Sequence, residues 1–276
     1  MLIDAHHHLW DPGTREYPFL AGAGMAPIRR AYRLDDLRAH TDAAGVDATV
    51  LVQTVSSVAE TREFLATAAD SGGLVVGVVG WVDLVAPDVA ERLAALRTAH
   101  LVGIRHQAEA EPDPRWLLRP DVLRGLRAVA DAGLAYDVLV KPPLLETAVE
   151  LAGLVTDAPL VLDHAGKPPI GTFEPWAARI REIARRDNVF CKLSGLVTEA
   201  DWARWRVADL LPYAAHVLEC FGPERVMFGS DWPVCELAAT YQDVLATARS
   251  ATEELSATER AAVFADTARR VYLLPG

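Results

Sequence analysis

Eight short apolar runs recur along the chain, and each is followed by a segment with helical character. Within the runs, aliphatic and β-branched residues occupy consecutive positions, which is typical of parallel strands buried on both faces. The runs are residues 2–5, 48–52, 74–79, 101–104, 134–140, 159–162, 188–191 and 225–228. Their regular spacing predicts eight strands that alternate with helices.

Glycine, proline and acidic residues mark the ends of the helical segments. The predicted helices include 35–44, 60–71, 121–132, 241–251 and 257–272. Two acids open the first of them and Gly45 ends it, while Pro87 is expected to begin the helix after the third strand. Eight strand–helix units predict a single (β/α)₈ TIM-type barrel domain over residues 1–276. An open doubly wound sheet is the alternative, but no glycine-rich phosphate-binding turn follows the first strand.

The amino-acid composition favours a globular protein and argues against nucleic-acid and membrane partners. The chain is 51% hydrophobic and 24% charged, which provides for one large core. Its 38 acidic and 27 basic residues give a formal net charge of −11, which repels nucleic-acid phosphates and anionic membranes. The first residues lack the basic and apolar regions of a signal peptide, and the three cysteines lack paired spacing. We therefore expect a cytoplasmic protein without a nucleic-acid or membrane partner; a homo-oligomer is compatible with the sequence.

Polar residues follow all eight apolar runs. In a (β/α)₈ barrel the active site lies at the carboxyl ends of the strands, so these residues are the functional candidates. They are His6, His7 and His8; Gln53; Trp81 and Asp83; Arg105, His106 and Gln107; Lys141; Asp163 and His164; Lys192 and Ser194; and Asp231. The pattern favours an enzyme, because a non-catalytic binding barrel leaves the histidines and the last aspartate unexplained.

His6 and His8 are two positions apart on the first strand and share one face, whereas His7 points to the other. Two imidazoles on one face can bind a single cation, and Asp231 offers a carboxylate to complete the site. The alternative is a histidine tract at the surface. Asp231 can also accept a proton from attacking water, although an aspartate before a proline is often a turn or helix cap. His164 can polarise a carbonyl, bind a metal or move protons, or it is a buried histidine bonded to backbone.

Several basic and aromatic side chains map to the same rim. The basic ones are Arg105, Lys141, Lys167 and Lys192. They predict a locally cationic site that suits an anionic substrate, a carbonyl oxygen gaining charge or a hydroxyl-rich lactone. For Lys167 and Lys192, a solvated lysine or a helix-facing ion pair is an equal alternative. Trp10, Trp81 and Trp232 are expected near the rim, where they can wall a pocket or pack in the core.

Four motifs occur in order along the chain: 4–10 (DAHHHLW), 103–106 (GIRH), 161–168 (VLDHAGKP) and 228–233 (FGSDWP). Together they resemble the amidohydrolase-related branch of the amidohydrolase superfamily, in particular its sugar-lactone and pyrone-dicarboxylate lactonase group. The resemblance covers nearly the whole chain. It implies a (β/α)₈ barrel that hydrolyses the ester of a lactone, such as a sugar-acid lactone or a small carboxylated lactone.

The resemblance also implies roles for the residues at the strand ends. His6 and His8 resemble the metal-binding pair of the first strand, His164 the histidine of the sixth and Asp231 the catalytic aspartate of the eighth. The fifth strand lacks a histidine and the fourth lacks the lysine that bridges two metals. Two metals are therefore not expected, and the sequence is compatible with one divalent ion, Zn or Mn, or with none.

The predicted catalytic residues are Asp231, His164 and Arg105, with Asp231 activating a water that attacks the lactone carbonyl. The predicted substrate-binding residues are Gln53, Trp81, His106, Lys141 and Trp232. Two alternatives are a related decarboxylase, disfavoured by the missing histidine of the fifth strand, and a Schiff-base lyase that uses Lys141 or Lys192.

Overall fold

A parallel sheet of eight strands forms the centre of the protein. The computed structural model describes residues 1–275, and its strands neighbour one another in the order of the chain. They are β1 (Ile3–His7), β2 (Ala48–Val52), β3 (Val75–Gly80), β4 (Leu101–His106), β5 (Ala135–Val138), β6 (Leu160–Leu162), β7 (Val189–Leu193) and β8 (Val226–Phe228). The predicted barrel is confirmed. The open doubly wound alternative is wrong. In that fold the order of the strands reverses within the sheet, whereas here it follows the chain.

Strands β1 and β8 close the barrel through contacts at their carboxyl ends. The backbone N–H of Asp231 donates to the carbonyl of His6 over 2.8 Å, and that of His8 donates to the carbonyl of Trp232 over 2.7 Å. Gly229 permits this approach, since a Cβ there would lie 2.7 Å from the Cβ of His6. The closing seam thus brings the histidines of β1 directly against Asp231.

Helices follow the strands and surround the barrel. They are α1 (Leu34–Ala44), α2 (Val58–Asp70), α3 (Val89–Leu96), α4 (Pro120–Asp131), α5 (Leu145–Leu154), α6 (Trp176–Ile183), α7 (Val207–Phe221), α8 (Tyr241–Ala251), α9 (Ala257–Ala261) and α10 (Thr267–Val271). Within residues 1–275, no helix is long and apolar enough to cross a membrane.

The predicted boundaries of α1, α2, α4 and α8 agree with the structure to within two residues, and two other expectations are wrong. Gly45 ends α1 in the left-handed conformation, with φ of 69°. The expectation that Pro87 begins a helix is wrong: Asp88 has non-helical φ and ψ of −100° and 25°, so α3 begins at Val89. The last predicted helix is split, because residues Ala262–Asp266 form a π-helical turn between α9 and α10.

The interior of the barrel is divided into an apolar and a polar half. Val50, Val161 and Met227 form one buried cluster with Ala268 of α10 and Tyr272, the residue that follows it. The ionisable side chains of the strands lie nearer the carboxyl ends. The apolar layer stabilises the barrel and leaves the other end for chemistry.

Candidate active site

A pocket of about 370 Å³ lies at the carboxyl ends of the strands. Eight of the residues that the sequence placed at the strand ends or the rim line it: His8, Trp10, Arg105, Gln107, Lys141, His164, Lys167 and Asp231. Apolar side chains contributed by loops also line it, among them Trp10, Phe19, Met25 and Leu237. The pocket therefore combines ionisable groups from the strand ends with an apolar wall from the loops.

His6, His8 and Asp231 converge on one point beside the pocket. The Nε2 atoms of His6 and His8 lie 3.1 Å apart. Asp231 Oδ1 lies 3.9 Å from His6 Nε2 and 3.5 Å from His8 Nε2. His164 approaches the same carboxylate, with its Nε2 3.8 Å from Oδ1. Three imidazoles thus surround one carboxylate oxygen.

Burial favours the neutral form of two of these imidazoles. His8 Nδ1 lies 2.7 Å from the carbonyl of Val52, which can only accept, so Nδ1 donates there and Nε2 faces His6 and Asp231. Burial lowers the pKa of His164 to about 4 and that of His6 well below its ordinary value. Neutral imidazole is the form that binds a metal ion.

The residues present fit one divalent ion. Zn²⁺ bound tetrahedrally at about 2.0–2.1 Å separates its ligand atoms by roughly 3.3 Å. The distances among the ligand atoms of His6, His8 and Asp231 are 3.1, 3.5 and 3.9 Å. Two imidazoles and one carboxylate are also the donor set of many zinc enzymes. His6, His8 and Asp231 therefore fit the single divalent ion with which the sequence is compatible.

Asp231 is held in an uncommon backbone conformation. Its φ is 56°, in the left-handed region. The preceding residue is anchored by Asp4, which accepts from the Ser230 N–H over 2.8 Å and from its hydroxyl over 2.6 Å. Burial raises the pKa of the Asp231 carboxyl, but interactions with His164, His8 and Lys167 outweigh it, and the net pKa lies below the ordinary value. Asp231 is therefore ionised at neutral pH, as a general base must be.

Arg105 lies between the pocket and the barrel interior. Its Nη1 donates to Asp163 over 2.9 Å and lies 3.3 Å from His6 Nε2, and its Nε donates to Gln53 over 3.2 Å. Gln53 is fully buried, so its carboxamide holds the guanidinium rather than facing the pocket. Arg105 itself lines the pocket and brings a positive charge there.

Three predicted substrate-binding residues are engaged elsewhere. The indole N–H of Trp81 donates to His106 over 3.0 Å, and the other ring nitrogen of His106 lies 2.7 Å from Glu111. Trp232 is fully buried and donates to Glu236 over 2.8 Å. In the described part of the chain, the residues that line the pocket do not include Trp81, His106 or Trp232.

Sequence reasoning missed a buried charge network beneath the pocket. Lys192 is fully buried; its ammonium donates to Asp137 and lies 3.0 Å from Asp163 and 3.1 Å from His6 Nδ1. The alternatives of a solvated lysine or a helix-facing ion pair are therefore wrong for Lys192, which pairs with acids inside the barrel. Lys192 Nζ is fully buried between two carboxylates, so it is not the accessible amine that a Schiff-base lyase needs. The missed signal is the strand alternation that places Lys192 inside the barrel.

The barrel and its histidine–aspartate cluster define the class of protein. The family model described as amidohydrolase matches residues 3–274, and the chain belongs to this family. The resemblance predicted from the four motifs is confirmed.

Individual relatives agree with this class. L-fucono-1,5-lactonase of Burkholderia multivorans is 41% identical over 290 residues, covering 99% of this chain and 96% of the relative. The crystal structure of a Burkholderia multivorans amidohydrolase with bound zinc is 40% identical, with a TM-score of 0.95 over 100% of both chains. 2-Pyrone-4,6-dicarboxylate hydrolase of Comamonas testosteroni is 25% identical over 84% of this chain and 76% of its own. The predicted hydrolase class is confirmed.

Proposed function

We propose that the protein hydrolyses the ring ester of a neutral, hydroxyl-rich sugar-acid lactone. The observation that carries the proposal is the ionised carboxylate of Asp231, which lines a pocket of about 370 Å³ beside neutral imidazoles. The 41% identical relative named for L-fucono-1,5-lactone supports a six-membered sugar-acid lactone as the substrate.

In the proposed reaction, Asp231 accepts a proton from a water that attacks the lactone carbonyl. The positive charge of Arg105, which lines the same pocket, stabilises the negative charge that develops on the carbonyl oxygen. The protonated Asp231 then returns the proton to the leaving alkoxide as the ring opens. His6, His8 and Asp231 would hold the divalent ion, which when bound withdraws electron density from the carbonyl.

The pocket offers both aromatic and polar surface to a sugar ring. The rings of Trp10 and Phe19, whose centroids are 5.3 Å apart, present aromatic surface on which the C–H face of a sugar ring can pack. Gln107, Glu109 and Glu199 provide acceptors and donors for hydroxyl groups. The pocket therefore suits a small polyhydroxylated ring rather than a long apolar chain.

A pH-indicator assay with a panel of aldonolactones tests the proposal. We expect acid release from at least one 1,5-lactone at a rate well above that of spontaneous opening. Absence of hydrolysis across the whole panel would contradict the lactonase function and favour the related decarboxylase.

Metal dependence follows from the geometry of the two histidines. We expect the protein to bind about one equivalent of Zn²⁺, and His8→Ala to weaken zinc binding at least tenfold because it removes one of three ligands. Metal content after dialysis against dilute zinc measures this, and His100→Ala provides a control at a histidine outside the site. Chelation is expected to lower hydrolysis, and Zn²⁺ or Mn²⁺ to restore it. Equal zinc content in His8→Ala and the parent protein would refute the ligand assignment.

A further inference from the structure

Two lysines of the pocket share one carboxylate. Lys167 Nζ lies 3.3 and 3.2 Å from the two carboxylate oxygens of Glu109, and Lys141 Nζ lies 3.7 Å from one of them. Glu109 belongs to the short turn after β4, and the lysines follow β5 and β6. Three neighbouring strand ends thus supply a cluster in which the acid lies between the two ammonium groups.

The pocket is balanced in charge rather than cationic. The basic side chains that line it are Arg105, Lys141 and Lys167, and the acidic ones are Glu109, Glu199 and Asp231. The locally cationic site expected from the sequence is therefore wrong, because Glu109 faces the same lysines and Lys192 lies buried below. A ligand that carries its own carboxylate meets ammonium groups that already have a partner.

We infer that Glu109 is a specificity-determining residue, which makes the pocket select neutral hydroxylated lactones against lactones that carry a carboxylate. The inference rests on the proposed function. A second carboxylate would have to displace Glu109 from Lys167 and would repel it at short range. A hydroxyl group avoids both costs, since it donates to Glu109 and accepts from either ammonium.

Two lactones that differ in one group test the inference. An aldonolactone and the aldarolactone of the same configuration differ only in a terminal hydroxymethyl or carboxylate group. We expect Glu109→Gln to raise the ratio of kcat/KM for the aldarolactone over the aldonolactone at least tenfold, because it frees the two lysines for the substrate carboxylate. An unchanged ratio would overturn the inference.

Two further variants test whether the contact between Glu109 and Lys167 causes the change in the kcat/KM ratio. Glu150→Gln also removes one acid and frees a basic partner, Arg115, but both side chains are exposed and neither lines the pocket. Its ratio should stay within twofold of that of the parent protein. Adding Lys167→Met to Glu109→Gln should remove most of the gain. A gain equally large in Glu150→Gln would refute a local effect.

A binding measurement separates this inference from the proposed function. Trp10 and Trp202 line the pocket, so their fluorescence reports ligand binding without turnover. In an Asp231→Asn background, Glu109→Gln should tighten binding of the aldarolactone relative to the aldonolactone at least tenfold. If the parent protein hydrolyses no lactone, the proposed function fails, while this shift in the ratio of Kd values would still support the role of Glu109. An unshifted ratio would overturn the inference even if hydrolysis is found.

Discussion

Asp231→Asn is expected to lower kcat for lactone hydrolysis about 10³-fold while the barrel remains folded. Asparagine has nearly the same shape but cannot accept the proton of the attacking water, and a positioned base contributes about 10²–10⁴-fold. Asparagine also tolerates the left-handed backbone that Asp231 adopts at φ of 56°, which alanine would not. Steady-state kinetics on the best lactone measures the loss, and thermal unfolding checks the fold.

Asp83→Asn provides the matched control for this prediction. Asp83 lies just after β3 and accepts from the backbone N–H of Val85 over 3.2 Å, but it does not line the pocket. Its replacement by Asn should change kcat by less than about threefold. If Asp231→Asn retained a tenth or more of the parent activity, Asp231 would be ruled out as the general base.

Lys192→Met is expected to destabilise the protein by about 3–5 kcal/mol, because it leaves two buried carboxylates without their shared cation. Burial raises the pKa of Asp137 to about 6 even with the ammonium beside it. Asp163 is also buried, but attraction to Lys192, His6 and Arg105 outweighs burial and holds its pKa well below the ordinary value. Urea unfolding of the purified variant measures the change in the free energy of unfolding.

Lys141→Met makes the same chemical change at a lysine whose side chain is 56% exposed. It is expected to alter the free energy of unfolding by no more than about 0.5 kcal/mol. Equal stability of Lys192→Met and Lys141→Met would show that the buried network does not stabilise the barrel.

The sequence predicted best those features that depend on local periodicity. The bounds of β2 and α8 agree with the predicted segments, because the apolar run of one and the helix boundary signals of the other lie within the segment itself. The shared face of His6 and His8 also follows from the two-residue period of a strand, and their ring nitrogens lie 3.1 Å apart. In each case, the residues within the segment itself were sufficient to predict the feature.

Features set by contacts between distant elements were harder to predict. Lys192 pairs with Asp137, 55 positions away, and nothing near Lys192 in the chain shows that an acid faces it inside the barrel. Trp232 lies at the rim in sequence, but its buried ring packs against Tyr32 and His40 and is hydrogen-bonded to Glu236. The apolar wall of Trp10, Phe19 and Met25 depends on loop conformations that carry no periodic signal.

The seam between β1 and β8 makes catalytic competence a late event in folding. Asp4 and Ser230, which pair across it, are separated by 226 positions. Such a contact has a high cost in chain entropy, and it forms only when the strands between are in register. His6 and Asp231 meet at this junction, so a partly folded chain with several complete strand–helix units still lacks the histidine–carboxylate cluster. Recovery of activity during refolding therefore reports closure of the whole barrel, whereas recovery of helical circular dichroism reports only its separate units.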